Sequence, residues 1–290
     1  MGARKKTTRK KKPAKTRLTA RTADKHILYE GAVQSPEFCL GFAARSFRRL
    51  RGRPLLSIRE DFCGTAAIAC EWVRRRPDRV AYGVDLDQAT LDWCRANHVP
   101  HLKEAADRLH LIHGDVLTAK TPRVDAVLAL NFSYYIWRTR EDMRRYFRAA
   151  RRHLKPDGLL VLDIFGGPES MTTCQEPRRI LHAITPAGDP VEPYTYIWDQ
   201  ARYNHIDHEM LCHIHFKFRD GTQMKKAFTY GWRLWTPPEL TELLEEAGFK
   251  ETAVYLEGWD DETNDTDSIF RRRTFYNDMD AWIGYIVAVK

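Results

Sequence analysis

The six cysteines, Cys39, Cys63, Cys70, Cys94, Cys174 and Cys212, include no Cys-x-x-Cys pair. Most sit inside apolar runs, which argues against a disulfide frame and for reduced, packed thiols in a cytoplasmic protein. No hydrophobic run is long enough to span a bilayer, and the apolar stretch of a secretory signal is missing. The chain also lacks a Gly-x-Gly-x-x-Gly turn, the spacing a dinucleotide-binding fold needs to rest a pyrophosphate on a helix N-terminus. Residues 1–21 lack acids altogether.

Those first residues, "MGARKKTTRKKKPAKTRLTAR", carry ten Lys/Arg, and without them 37 bases face 39 acids in a chain whose net charge is +8. The folded part is therefore close to neutral. A polycationic segment with so few apolar side chains cannot offset its chain entropy, so residues 1–22 are expected to form a disordered tail. Such a tail can meet nucleic acid by charge alone or serve as a solubilising arm. With 43% hydrophobic residues over 290 positions, the remainder suffices for one sizeable core.

There is no internal repeat. Residues 24–54 read as a lead-in with one amphipathic helix near 36–50. From "PLLSI" onward, apolar runs alternate with helical patterns: "TAAIACEWVRRR", "RVAYGVDLD", "QATLDWCRANH" with Asp87 as N-cap, "LHLIHGDV", and "VDAVLALNF". A helix follows, opened by Thr139 and Asp142 as a capping box, and then the strand "LLVLDIF". This alternation over about 110 residues implies parallel strands with crossover helices. At Gly166 the pattern changes to short-period alternation. The Asp-Gly turn in "FRDGTQ" predicts an antiparallel hairpin inserted after strand five, within residues 166–235. "TPPELTELLEEAGF" is a boxed and stopped helix. Two strands, "KETAVYLEG" and "AWIGYIVAV", flank an acidic loop, "DDETNDTDS", and close the chain.

In open α/β sheets, ligands bind beyond the carboxyl ends of the strands. Polar residues gather there: Glu60 after strand one, Asp85 after strand two, Asp115 after strand three and Asn131 after strand four. A lone acid at such a place is commonly a turn or cap residue; four in register point to a ligand. Glu60 beside the turn would repel a diphosphate.

With "EDFCGTA" at 60–66, "GVDLD" at 83–87, "GDV" at 114–116, "VDAVLALN" at 124–131 and "LKPDGLLVLDIF" at 154–165, residues 55–290 resemble the class I S-adenosylmethionine-dependent methyltransferases. The REDFCGTA stretch is similar to that of a bacterial subgroup. The resemblance implies a Rossmann-like seven-stranded α/β sheet carrying the antiparallel hairpin, with S-adenosyl-L-methionine as cofactor. It implies that Glu60 lies near the ligand's amino group and that Gly64, followed by Thr65, lets the backbone approach the methionine part. Asp85, followed by Leu86, would accept the ribose hydroxyls; Asp115 and the Val116 amide would meet the adenine. The family's Gly-x-Gly-x-Gly turn is here Phe62-Cys63-Gly64-Thr65-Ala66, with one glycine of three, so Phe62 either adopts a glycine-like backbone or the turn differs. By the same resemblance Tyr29 in "LYEGAVQ" is a lid residue and Arg59 a partner for the cofactor carboxylate.

For the methyl acceptor, three places offer side chains. Asn131 and Tyr134 in "NFSYY" follow strand four. His213 and His215 share one face of a strand, as a cavity wall or as packed imidazoles, without further ligands to complete a metal site. Arg233 in "YGWRLW" either binds an anionic group of the substrate or caps a helix carboxylate. The reading is methyl transfer to an N or O atom of a small molecule, with Tyr134, His213 and Arg233 as catalytic candidates. The alternatives are an RNA or ribosome-associated protein methyltransferase anchored by the tail, and a cofactor-binding scaffold without turnover.

Overall fold

The structure is a computed structural model that describes residues 17–260, 262, 265–277 and 279–290. Most of the expected basic tail, residues 1–16, lies outside the described residues. Residues 17–22, expected in that tail, are part of the fold. The Leu18 amide donates to Glu192 and the Ala20 amide to Thr222, and both side chains pack beside Phe216 and Phe218.

Five parallel strands form one side of the main sheet: Ser57–Asp61 (β1), Val80–Asp85 (β2), Leu109–His113 (β3), Val124–Ala129 (β4) and Leu154–Gly166 (β5). Its strands run β3-β2-β1-β4-β5, so connections leave β1 and β4 in opposite directions and open a crevice between their carboxyl ends. A second sheet follows, built wholly of antiparallel neighbours: Cys174–Ile180 (β6), Tyr194–Tyr203 (β7), Glu209–Lys217 (β8) and Gln223–Arg233 (β9). The insertion is thus a four-stranded sheet rather than a hairpin. β8 and β9 are joined at the Asp220-Gly221 turn that the sequence marks, and β6 and β7 complete it. Glu251–Asp260 (β10), Asp265–Arg273 (β11) and Trp282–Val289 (β12) return to the main sheet. β12 and β10 supply the two closing strands, and β11 pairs with β10 as an eighth, edge strand. The stretch expected as an acidic loop is therefore partly strand from Asp265 onward.

Helices cover both faces. Pro36–Arg51 (α2), Ala67–Arg75 (α3) and Gln88–Asn97 (α4) bury Phe47, Trp72 and Leu91 on one face; Arg140–His153 (α5) and Pro237–Glu246 (α6) bury Phe147 and Leu240 on the other. The start signals act as written. Asp87 accepts from the Ala89 amide at 2.9 Å, Thr139 from the Asp142 amide at 3.1 Å, and Glu239 from the Thr236 amide at 2.9 Å. The lead-in holds an additional helix, Lys25–Val33 (α1), that its sequence does not announce. α1 is wedged between the two sheets. Tyr194 of β7 donates to its Leu28 carbonyl at 2.6 Å, and Arg178 of β6 donates to its Ala32 carbonyl. Among the described residues no helix is long and apolar enough to cross a membrane.

Candidate functional site

The turn after β1 keeps the glycine-like backbone with one glycine. Phe62, Gly64 and Ala66 have φ of 56°, 52° and 54°, left-handed at every second residue. For a residue with a side chain that conformation costs about 1–2 kcal/mol. Packing offsets it: the Phe62 ring lies 5.4 Å from that of Tyr146, and Ala66 is fully buried. At Gly64 a side chain would meet nothing within 4 Å, so the backbone is open on the side facing the crevice.

Carboxylates hold this turn and its neighbours. Asp85 accepts from the Gly64 amide at 2.7 Å and from the Asp87 amide at 2.9 Å, tying the turn to the end of β2. Glu60, on the opposite face of β1 from Arg59, accepts from the Ala69 amide of α3 at 2.8 Å. Burial, together with the nearby Asp85, Glu30 and Asp61, pushes its carboxyl up to about 8. Asp115 accepts from the Leu117 amide at 2.8 Å and starts the loop that leaves β3. At the end of β4, Asn131 and Phe132 are both left-handed, at φ 57° and 56°. Their amides donate to buried Asp163 of β5 at 2.6 and 2.9 Å. Burial pushes the Asp163 carboxyl up to about 7, against the pull of those amides.

α1 closes this row from above. The Thr65 hydroxyl donates to Glu30 at 2.5 Å, and Glu30 also pairs with His98 at 2.8 Å. Trp93 of α4 donates its indole N–H to Asp24 at 2.6 Å. Tyr29, the next residue along, shares a hydrogen bond with Tyr230 and lies 4.9 Å from the Phe228 ring.

Tyr29, Asn131 and Phe132 also belong to a cavity of about 540 Å³ between the row and the second sheet. Its far wall is the face of β6–β9 that carries Tyr196, Trp198, Tyr230 and Trp232. Tyr230 and Trp232 stack at 4.4 Å, with Trp198 6.1 Å from Trp232. Three carboxylates, Glu169, Glu176 and Glu257, line it against one guanidinium, Arg178. The arrangement is an apolar, π-rich slot with a negative rim, open at one end to the strand-end row.

Of the residues singled out by sequence, Glu60, Gly64, Thr65, Asp85, Leu86, Asp115, Val116 and Asn131 lie along the row, and Tyr29 reaches the cavity. Four others are held away from the row and the cavity; for His213 and Arg233 this is the second of the two readings their sequence left open. Arg59 cannot serve the cofactor carboxylate, because it is fully buried and paired with Asp61 at 2.6 Å. Tyr134 is fully buried, and its hydroxyl donates to the Asp163 carbonyl at 2.7 Å. His213 faces away from the cavity, since the alternate residue Ile214 lines it; the imidazole meets Thr229 at 3.0 Å. Arg233 pairs with Glu239 at 2.8 Å and lies 3.8 Å over the Trp235 ring, which makes it the helix-carboxylate partner of the two readings. Sequence reasoning passed over Asp163, hidden in an apolar strand, and Glu30 and Trp198, whose partners lie far away in the chain.

Residues 63–160 match a family model described as a methyltransferase domain. No curated protein matches the chain. Among solved structures, the chain is similar in fold to an amino pentose methyltransferase from Micromonospora echinaspora involved in calicheamicin biosynthesis, described as bound to SAM. That likeness has a TM-score of 0.61 at 20% identity, over 91% of this chain and 95% of that one. A sugar N-methyltransferase from Streptoalloteichus sp. matches with a TM-score of 0.59 at 18% identity, over 100% and 98%. An S-adenosylmethionine-dependent methyltransferase from Clostridium acetobutylicum matches with a TM-score of 0.59 at 14% identity, over 90% and 96%.

Proposed function

We propose that the protein, whose residues 63–160 match a methyltransferase domain, is a class I S-adenosylmethionine-dependent methyltransferase that methylates the nitrogen of a small amine, with an amino sugar as the acceptor class to test first. The observation that carries this reading is the junction at Tyr29, Asn131 and Phe132, where the strand-end row opens into a slot with aromatic walls and an acidic rim. Aromatic faces and carboxylates together favour a group that is cationic or bears N–H donors, and flat rings suit the C–H faces of a sugar. The relatives that methylate an amino pentose and a sugar nitrogen support the same choice.

The residues of the row fit the methyl donor. Asp85 and Asp115 complement a ligand with a sulfonium and an ammonium, Glu60 fixes α3 behind the turn through the Ala69 amide, and the left-handed turn at Gly64 leaves backbone open to the ligand. In this reading Gly64 and Thr65 face the methionine part, Asp85 and Leu86 the ribose, and Asp115 and Val116 the adenine. Bound there, S-adenosylmethionine supplies a methyl group already activated by its positive sulfur. The protein then has to align the acceptor and keep the site dry. Asn131 and Tyr29 stand at the mouth, and Trp198, Tyr230 and Trp232 set the acceptor's plane. Alignment of this kind contributes up to about 7–11 kcal/mol. An acceptor held there with its nitrogen neutral would take the methyl on its lone pair as the C–S bond breaks, leaving S-adenosylhomocysteine and a methylated ammonium. The ammonium then loses its proton to a rim carboxylate or to water.

The test is incubation with methyl-labelled cofactor and a panel of amino sugars, simple amines and the matching hydroxyl compounds, read by mass. Label on nitrogen is expected. Label only on the hydroxyl compounds would overturn the reading.

A further inference from the structure

The buried guanidinium of Arg59 does not touch the place where a cofactor would lie, yet half of its hydrogen bonds end on main-chain carbonyls of the loop that would read the base. Nε donates to Asp61 at 2.6 Å; Nη2 donates to the Val116 carbonyl at 2.9 Å; Nη1 donates to the Ala119 carbonyl at 3.0 Å and to the Thr121 hydroxyl at 3.2 Å. Asp61 in turn accepts from Tyr146 of α5 at 3.1 Å. Arg59 and Asp61 stand two residues apart on one face of β1, the strand that β2 and β4 flank in the main sheet. Residues 114–123 join β3, at the sheet's edge, to β4. Besides Arg59, the loop is tied outward at three points: the Gly114 amide donates to the Asp85 carbonyl at 2.9 Å, Arg152 donates to the Leu117 carbonyl at 3.3 Å, and Thr121 meets His153 at 3.2 Å, but none of these reaches the Val116 or Ala119 carbonyl. The amides of Thr118 and Ala119 donate to the Asp115 carbonyl at 3.0 and 2.7 Å, and the Leu117 amide donates to the Asp115 side chain.

We propose that Arg59 is a positioning residue for cofactor recognition: from the middle of the five parallel strands it fixes the height and tilt of the Asp115–Val116 segment and so sets selectivity for the 6-amino group of the adenine. This rests on the reading above that Asp115 and Val116 meet the base. A buried ion pair by itself is weak evidence of a stability role, because apolar residues of similar size often replace one without loss. Here the replacement would fill the volume but leave the Val116 and Ala119 carbonyls unheld, since only a forked donor reaches both. The stretch "RED" thus divides its work. Glu60 fixes α3 at the turn, while Arg59 and Asp61 fix the opposite loop.

The two roles separate by experiment. The full chain is prepared as wild type, as the double variant R59M/D61L, and as R59K, and each is titrated calorimetrically with S-adenosylhomocysteine and with its purine analogue lacking the 6-amino group. Wild type should bind the adenine compound and prefer it to the analogue. The double variant should melt within a few degrees of wild type, bind S-adenosylhomocysteine about tenfold more weakly, and lose most of its preference. R59K, which keeps the charge but not the fork, should shift the same way by a smaller factor. Unchanged affinity and preference in the double variant would overturn the proposal while leaving the cofactor reading intact. Should that variant fail to fold, an unchanged preference in R59K overturns it equally. A wild type that binds neither compound would sink the cofactor reading and this inference together.

Discussion

At the strand ends, the groups that would face a ligand are backbone amides and carboxylates held by short bonds. Asp85 grips the Gly64 amide, Glu60 the Ala69 amide, and Asp163 the amides of Asn131 and Phe132. Across the cavity, on β6–β9, the facing groups are rings, and what fixes them is cross-strand register: Trp198 of β7 opposite Ile214 of β8, and Cys212 opposite Tyr230 of β9. The first region derives its shape from the main chain and spends polar groups on it, down to four non-glycine residues, Phe62, Ala66, Asn131 and Phe132, in left-handed turns. The second derives its shape from side chains and can change by substitution without disturbing the backbone. A common donor suits the first kind of site, and a particular acceptor the second.

The largest effect that would sharpen this contrast is on stability. Glu60 is buried with its carboxyl pushed up to about 8, whereas in the unfolded chain it titrates near the ordinary value of about 4.3. Between those limits the folded state holds a proton that the unfolded state has released, so stability falls as pH rises through the window. Glu60→Gln keeps an acceptor for Ala69 and removes the proton. It should match wild type at pH 5 and exceed it at pH 8 by up to about 4 kcal/mol, the slope of one bound proton. Urea unfolding of the cofactor-free chain across that range checks it, and parallel curves for the two proteins would refute it.

Next in size is cofactor affinity. Asp85→Ala removes the acceptor of the Gly64 amide together with the proposed ribose contact. It should weaken S-adenosylhomocysteine binding by about 100-fold, near 2.7 kcal/mol. Trp198→Leu should do the reverse. It should raise the acceptor KM about tenfold and leave the cofactor Kd alone, since the ring belongs to the slot and not to the row. A Trp198 variant that loses cofactor affinity would erase the division between the two regions.

That division also separates what the sequence could tell from what it could not. The row was legible because its parts are local: an acid closes each of the first three strands and Asn131 the fourth, and the capping residues Asp87, Thr139 and Glu239 lie within a few residues of the amides they hold. Side-chain direction was not. Arg59 sits beside Glu60 in sequence, but a strand sends neighbours to opposite faces, and nothing local says that one faces α3 and the other a buried loop. His213 failed for the same reason, with Ile214 taking the cavity side. α1 was missed because contacts from elsewhere define it: Thr65, His98, Tyr194 and Arg178 are all remote in sequence. Asp163 looked like one polar residue in an apolar strand until the turn at Asn131 came to rest on it.

The smallest expected effect concerns the basic N-terminus. Residues 17–22 pack on the second sheet, with Leu18 and Ala20 beside Phe216, so a deletion that reaches Thr22 removes part of the fold along with charge. Deleting residues 1–16 instead removes eight Lys/Arg and none of those contacts. If the acceptor is a small amine held in the slot, this deletion should change kcat/KM by less than about twofold, because net charge acts mainly on encounter with charged partners. An acceptor on RNA predicts a different result: affinity that falls with added salt and collapses with the deletion, because counterion release from phosphates then supplies the binding. Measuring the full chain and the deletion variant at low and moderate salt separates the two acceptors, since only the RNA reading couples the tail to the salt dependence.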